Sequence, residues 1–138
     1  MKMDNISMEP TLYSGDVLYI EKKDDMVPGD IIVLRYNEKK LVKRLIAFEG
    51  DTVEIDDNGY VTVNGTVLNE PYVEFPSLGE CDIEFPFTVP EGTVFVLGDN
   101  RNVSIDSRSS SLGCIEKDHV VGKVVYRLFP FKRIGKVE

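Results

Sequence analysis

Three stretches of this chain carry residue types that could do chemistry. The first is Asn5-Ile6-Ser7-Met8-Glu9-Pro10-Thr11-Leu12. Pro10 has a fixed φ and biases Glu9 towards extended backbone, so Ser7 is expected on a stiff, open segment rather than in a helix. A serine hydroxyl becomes a nucleophile only when a base takes its proton. The second stretch, Leu41-Val42-Lys43-Arg44-Leu45-Ile46-Ala47, supplies a candidate base. Strand alternation puts Leu41, Lys43, Leu45 and Ala47 on one face, and Val42, Arg44, Ile46 and Phe48 on the other. Apolar neighbours disfavour the Lys43 ammonium, and a lysine neutral near pH 7 can accept a serine proton. The bland alternative is a lysine whose stem lies on apolar surface while its head reaches water. Arg44 stays charged and cannot serve as the base.

The third stretch runs from Gly98-Asp99-Asn100-Arg101 through Ser104, Asp106, Ser107 and Arg108. Here Asp106 and Arg108 can pair, and Ser104 can orient a nearby lysine. The alternative is a solvated loop of turn-forming residues. Asp99 and Asp106 have no further ligand set at a recognisable spacing, so no metal site is expected. A Ser-His-Asp triad would have to use His119, the only histidine, which sits at the mouth of an apolar strand and reads as structural or exposed.

The elements that must position these residues read as strands. Gly15-Asp16, Gly29-Asp30 and Gly50-Asp51 each lead into a β-rich run: Val17 to Ile20, Ile31 to Tyr36 and Thr52 to Ile55. Asn64-Gly65 predicts a two-residue hairpin turn between Tyr60–Val63 and Thr66–Leu68. Residues 69–90 carry prolines and little periodicity, and are expected to be an irregular excursion. Thr93 to Leu97 and Val120 to Leu128 are further apolar strands. No stretch reads as an amphipathic helix of three turns. The expected fold is mainly β: an antiparallel β-sheet core from residues 1–51 and 91–138, with a smaller β insertion over 52–90.

Composition bounds the partners. A chain of 138 residues with net charge −8 is a poor match for nucleic acid, which is bound chiefly by Lys and Arg on phosphates. No run approaches the ~20 apolar residues that span a bilayer, and no signal-peptide pattern precedes Ser7. The expectation is a soluble domain, with any anchor cut off before Met1. Cys81 and Cys114 lie far apart in unlike contexts, which leaves open one disulfide or two free thiols.

Taken together, the boxes Ser7-Met8-Glu9-Pro10-Thr11-Leu12, Val42-Lys43-Arg44 with Gly50-Asp51, and Gly98-Asp99-Asn100-Arg101 through Arg108 stand in the order found in type I signal peptidases. Gly122-Lys123-Val124 with Arg127, Phe129 and Pro130 extends the resemblance over essentially the whole chain, and the compact middle region is similar to the Gram-positive-type enzymes. The resemblance implies a Ser-Lys dyad without cofactor or metal, with Ser7 as nucleophile and Lys43 as general base. Ser104 matches the serine that orients the lysine, and Asp99, Asn100, Arg101, Asp106 and Arg108 match residues that hold the site's architecture. Met8, Leu12, Leu41 and Val42 fall where the family lines its pocket for a small side chain. Implied substrates are signal-peptide-bearing preproteins cut after Ala-x-Ala, at the extracytoplasmic face of a membrane. The family's anchor, which precedes the serine box, is missing, so a truncated catalytic domain is expected. Where the family has Ser or Gly, this chain has Asn5, whose side-chain amide is expected to donate into the oxyanion hole beside the Ser7 N–H. Two rivals share parts of the pattern: a self-cleaving Ser-Lys domain of the LexA-repressor kind, and an inactive β domain that binds peptides. The Phe129-Pro130-Phe131 run is read either as an interfacial patch or as a strand end.

Overall fold

The computed structural model describes residues 1–22 and 25–138. Among them eleven strands, antiparallel at every pairing, make two sheets. The larger sheet contains β1 (Val17–Lys22), β2 (Ile31–Tyr36), β3 (Lys39–Phe48), β8 (Thr93–Leu97), β9 (Ile115–Glu116) and β10 (Val120–Phe129), with the short β11 (Gly135–Lys136) paired to β10. Its order is β1-β10-β2-β3-β8-β9. The smaller sheet contains β4 (Thr52–Ile55), β5 (Val61–Val63), β6 (Thr66–Val67) and β7 (Phe87–Thr88), in the order β6-β5-β4-β7. Helix is confined to single 3-10 turns at 117–119 and 131–133. No helix among the described residues is long and apolar enough to cross a membrane.

Local chemistry explains the elements. In β2 the run Ile31-Ile32-Val33-Leu34 is buried on both faces, as befits a strand with neighbours on either side and side chains packed above and below. Asn64 and Gly65 take φ of 50° and 82°, the left-handed pair that a two-residue hairpin requires, and join β5 to β6 as the sequence predicts. The 69–90 stretch, expected to hold no strand, does contribute β7, which pairs Thr88 and Phe87 with Thr52 and Val53 of β4.

The sheet's two faces bury different clusters. Ile32, Leu34, Leu45, Val94 and Val96 pack on one side. Ile31, Val33 and Val42 pack on the other, with Met3, Met8 and Leu12 from the N-terminal segment. A third cluster joins Ile46, Ala47, Phe95 and Leu97 to Val53, Ile55 and Val61 of the smaller sheet, so the two sheets share a core. Ala47 was expected on the face of Lys43, and it is not. The register of β3 against β8 shifts between Leu45 and Ala47, and the irregularity reverses the alternation, which places Ala47 beside Ile46 and turns Phe48 to the opposite side.

Candidate active site

Ser7 lies on a tight turn, not on the open segment expected from Pro10. The Glu9 N–H donates to the Ile6 carbonyl (3.2 Å) and the Leu12 N–H to the Met8 carbonyl (2.9 Å). The cause is hydrophobic: Met8 and Leu12 are fully buried, and reaching the same cluster requires the chain between them to coil. From across the site Asn100 ties the turn down. Its N–H donates to the Ser7 carbonyl at 2.9 Å and its Nδ2 to the Ile6 carbonyl at 3.1 Å. Ser7 retains 9% exposure and lines a cleft of about 410 Å³ together with Lys43. The remaining walls are mostly apolar and include Ile6, Tyr36, Leu41, Val103, Ile105 and Leu112.

Lys43 is 4% exposed. Burial lowers its pKa from 10.5 to about 8; the Asp106 carboxylate acts against this and the Arg108 guanidinium with it. The contact that orients it is a hydrogen bond from Nζ to Ser104 Oγ (3.1 Å). Ser104 in turn donates to Asp106 Oδ2 at 2.8 Å. A hydroxyl has one proton, and with that proton on Asp106 it can only accept from Lys43. The lone pair of a neutral Lys43 is therefore left free by Ser104. No direct hydrogen bond joins Lys43 to Ser7 among the described residues; the Ser7 hydroxyl donates instead to Asn5 Oδ1 at 2.8 Å.

Asp106 is the hub of the 98–108 loop, and it is fully buried. Arg108 donates to it through Nε and Nη2, both at 2.8 Å, and the Gly98 N–H donates to Oδ2 at 3.0 Å. The solvated-loop reading thus fails for Ser104, Asp106, Ser107 and Arg108, all of them buried. Gly98 permits the close packing: a Cβ there would lie 2.1 Å from Ser104 Oγ and 2.7 Å from the Ser7 carbonyl oxygen.

A second buried pair sits behind the first. Arg44 grips Asp99 through Nε (2.9 Å) and Nη2 (2.6 Å), and Thr11 Oγ1 donates to the same carboxylate at 2.6 Å. Arg44 also carries its guanidinium 3.6 Å from the centre of the Tyr72 ring. Tyr72 donates to Glu70, and Glu70 accepts from Arg101 through both terminal nitrogens at 3.1 and 2.6 Å. Arg108 reaches the carbonyl of Leu78 at 2.7 Å. The stretch read as an irregular excursion is thus strapped to the loop that holds Ser104 and Asp106. Glu70 and Tyr72 escaped the sequence analysis because their partners are about 30 residues away, with no periodicity to mark them.

Two expectations need correction. Asn5 presents its amide oxygen to Ser7, not its nitrogen: Oδ1 accepts from the Ser7 N–H (3.1 Å) as well as from the hydroxyl. A backbone N–H can face only an acceptor, so the donor role expected of this amide is not the one it holds. Of the four residues assigned to a small-side-chain pocket, only Leu41 lines the cleft. Met8, Leu12 and Val42 belong to the core, Val42 because strand alternation turns it away from Leu41 and Lys43. His119 is half exposed and lies 3.7 Å from Glu116, outside the cleft. Cys81 and Cys114 are free thiols.

An antiparallel β fold, a partly buried serine and a buried lysine of lowered pKa on one cleft describe a hydrolase of the nucleophilic serine class. Relatives define it further. Residues 1–129 match the family model described as "Signal peptidase, peptidase S26". Signal peptidase I of Bacillus licheniformis is 38% identical over 99% of this chain and 79% of its own length. Signal peptidase I T of Bacillus subtilis strain 168 is 37% identical over 99% of this chain and 76% of its own. The crystal structure of a signal peptidase I from Enterococcus faecalis V583 superposes with a TM-score of 0.61 at 32% identity, covering 72% of this chain and 97% of that one. The chain belongs to the signal peptidase family, peptidase S26, and is a serine endopeptidase whose substrates are preproteins bearing signal peptides.

Proposed function

We propose that Ser7 and Lys43 are the catalytic dyad of this signal peptidase. Lys43 takes the Ser7 proton, and Oγ attacks the scissile carbonyl while the Ser7 N–H faces the developing oxyanion. Collapse of the intermediate expels the new amine and leaves an acyl-enzyme, which water activated by Lys43 then hydrolyses. The observation that carries this reading is the lowered pKa of a lysine held by Ser104 on the cleft of Ser7. Asp106 and Arg108 act through Ser104, and Asp99, Asn100 and Arg101 keep the loop and the serine turn in register. Residues 52–90 are read as an insertion that braces this core, residues 1–51 and 91–138.

Strand registers support an extended substrate. β3 pairs with β2 from Lys39 to Arg44, but meets β8 only from Arg44 onward. Among the described residues, the opposite edge of Lys39–Lys43 is therefore free of a strand partner beside the cleft. A signal peptide can add there as a strand, and the modest apolar cleft suits the small side chains of Ala-x-Ala. The membrane-facing reading rests on a separate patch. Leu128, Phe129, Phe131 and Ile134 are exposed, Phe131 by 78%, and the rings of Phe129 and Phe131 meet edge to face at 5.4 Å. Phe131→Ser is expected to weaken cosedimentation with anionic liposomes severalfold; unaltered binding would assign the patch to another role.

The dyad is tested by cleavage of a signal-peptide substrate in detergent by the parent chain, Ser7→Ala and Lys43→Ala. Both variants are expected to lose cleavage at the Ala-x-Ala boundary. In the parent, kcat/KM should rise with pH through about 8, because the base acts only when neutral. A rising limb centred near 10.5, or activity that survives either substitution, would sink the assignment.

A further inference from the structure

The contact between Asn5 and Ser7 is one that the proposed chemistry must break. Asn5 Oδ1 accepts from the Ser7 N–H at 3.1 Å and from the Ser7 hydroxyl at 2.8 Å. The reaction needs both donors elsewhere. The N–H must face the carbonyl oxygen as it becomes an oxyanion, and the hydroxyl must give its proton to Lys43. One side-chain oxygen therefore holds the oxyanion donor and the nucleophile together. Lys43 meanwhile donates to Ser104 and has no direct bond to Ser7. The Asn5–Ser7 contact spans two residues, a local Asx turn that needs no help from other elements. Asn5 lines the cleft, and among the described residues its Nδ2 reaches only Asp4, at 3.5 Å. Few contacts oppose its rotation out of the way.

Building on the Ser7–Lys43 reading, we propose that Asn5 is a latch: a positioning residue that keeps Ser7 from Lys43 until a substrate carbonyl displaces it. When the substrate oxygen takes the Ser7 N–H, Oδ1 loses one of its two bonds and swings aside. The hydroxyl then turns to the Lys43 lone pair. Its proton passes to Nζ as the Oγ–C bond forms, and the carbonyl π pair moves onto the oxygen facing the Ser7 N–H. Nucleophile release and oxyanion-site opening are thus one event, triggered by correct placement of the scissile bond.

The experiment compares Asn5→Ala, Asn5→Asp and Ser7→Ala with the parent on a signal-peptide substrate, well above pH 8 so that Lys43 is neutral throughout, with melting midpoints alongside. Alanine removes the acceptor, so KM should fall and kcat/KM rise about 5-fold, the worth of one ordinary hydrogen bond. Aspartate is isosteric and accepts both bonds more strongly, so KM should rise and kcat/KM fall by about 10-fold. Shifts in these opposite directions with unchanged melting support the latch. Any other pattern, including losses in both variants or no change in either, overturns it, since a residue that only holds the turn would lose activity in Asn5→Ala and keep it in Asn5→Asp, whose carboxylate accepts the same bonds. Activity persisting in Ser7→Ala would instead overturn the dyad reading itself, whatever the Asn5 variants do.

Discussion

Lys43→Met should abolish cleavage and, at neutral pH, make the protein more stable. Loss of the base is expected to cost on the order of 10⁴-fold or more in kcat, as in other proteases that lose a member of a catalytic unit. The stability gain follows from the same burial that tunes the base. The folded chain binds the Lys43 proton with a pKa of about 8, and the unfolded chain with the ordinary 10.5. Between those values the unfolded state holds more protons, so the parent's stability rises with pH across that window. Below pH 8 both states carry the charge, and the folded state bears the full burial penalty, roughly 3 kcal/mol at about 1.4 kcal/mol per pKa unit. Methionine fills similar volume without a charge, but forfeits the bond to Ser104, worth about 1 kcal/mol. A net gain of about 1–2 kcal/mol is expected at pH 7, shrinking as pH rises from 8 to 10.5. Urea titrations of the two proteins at pH 7 and pH 10 measure it. A destabilised variant at pH 7, or a difference that grows with pH, would mean that Lys43 is not strained by burial.

Asp99→Asn should be among the most destabilising single changes in the chain. Asp99 and Arg44 have 0% and 2% exposed side chains, and the pair is joined twice at hydrogen-bond distance. Neutralising one partner leaves a guanidinium without its counterion in a site water cannot reach, which costs about 3–5 kcal/mol. For a domain of this size each kcal/mol lowers Tm by about 4 °C, so a fall on the order of 15 °C is expected. The Gly29 carbonyl and the Tyr72 ring, with the Glu138 carbonyl at 3.5 Å, would be left to hold Arg44. Removing both charges at once, as Arg44→Met with Asp99→Leu, should cost much less, because no buried charge is stranded. Equal losses in the single and double variants would show that packing, not charge pairing, sets the penalty.

Much of this was legible from residue order. Hydrophobic runs punctuated by Gly-Asp turns located the major strands from Val17 to Phe129, because a strand's burial pattern is local and has a period of two. Asn64-Gly65 identified its hairpin because few residues tolerate both left-handed φ values. Lys43 was visible as a base candidate from Leu41 and Leu45 alone, since neighbours two residues away on a strand share its face.

What residue order could not carry was everything that depends on distant partners or on a break in periodicity. The irregularity between Leu45 and Ala47 is set by the pairing of β3 with β8, some 50 residues on, and it reversed the face of Ala47. Burial of Met8 and Leu12 beneath the sheet, not Pro10, decided that Ser7 sits on a turn. Glu70 and Tyr72 acquired their roles only when Arg101 and Arg44 arrived beside them. The Asn5 amide shows the division most sharply. Its residue type promised a donor or an acceptor equally, and the folded position of the Ser7 N–H chose the acceptor. Sequence alone determined the major strands and which side chains could do chemistry, because those follow from local spacing, whereas the short β7 formed only by pairing with β4. Tertiary structure decided which of these groups meet, how deeply each is buried and where each proton points, because those depend on contacts that only the folded chain creates.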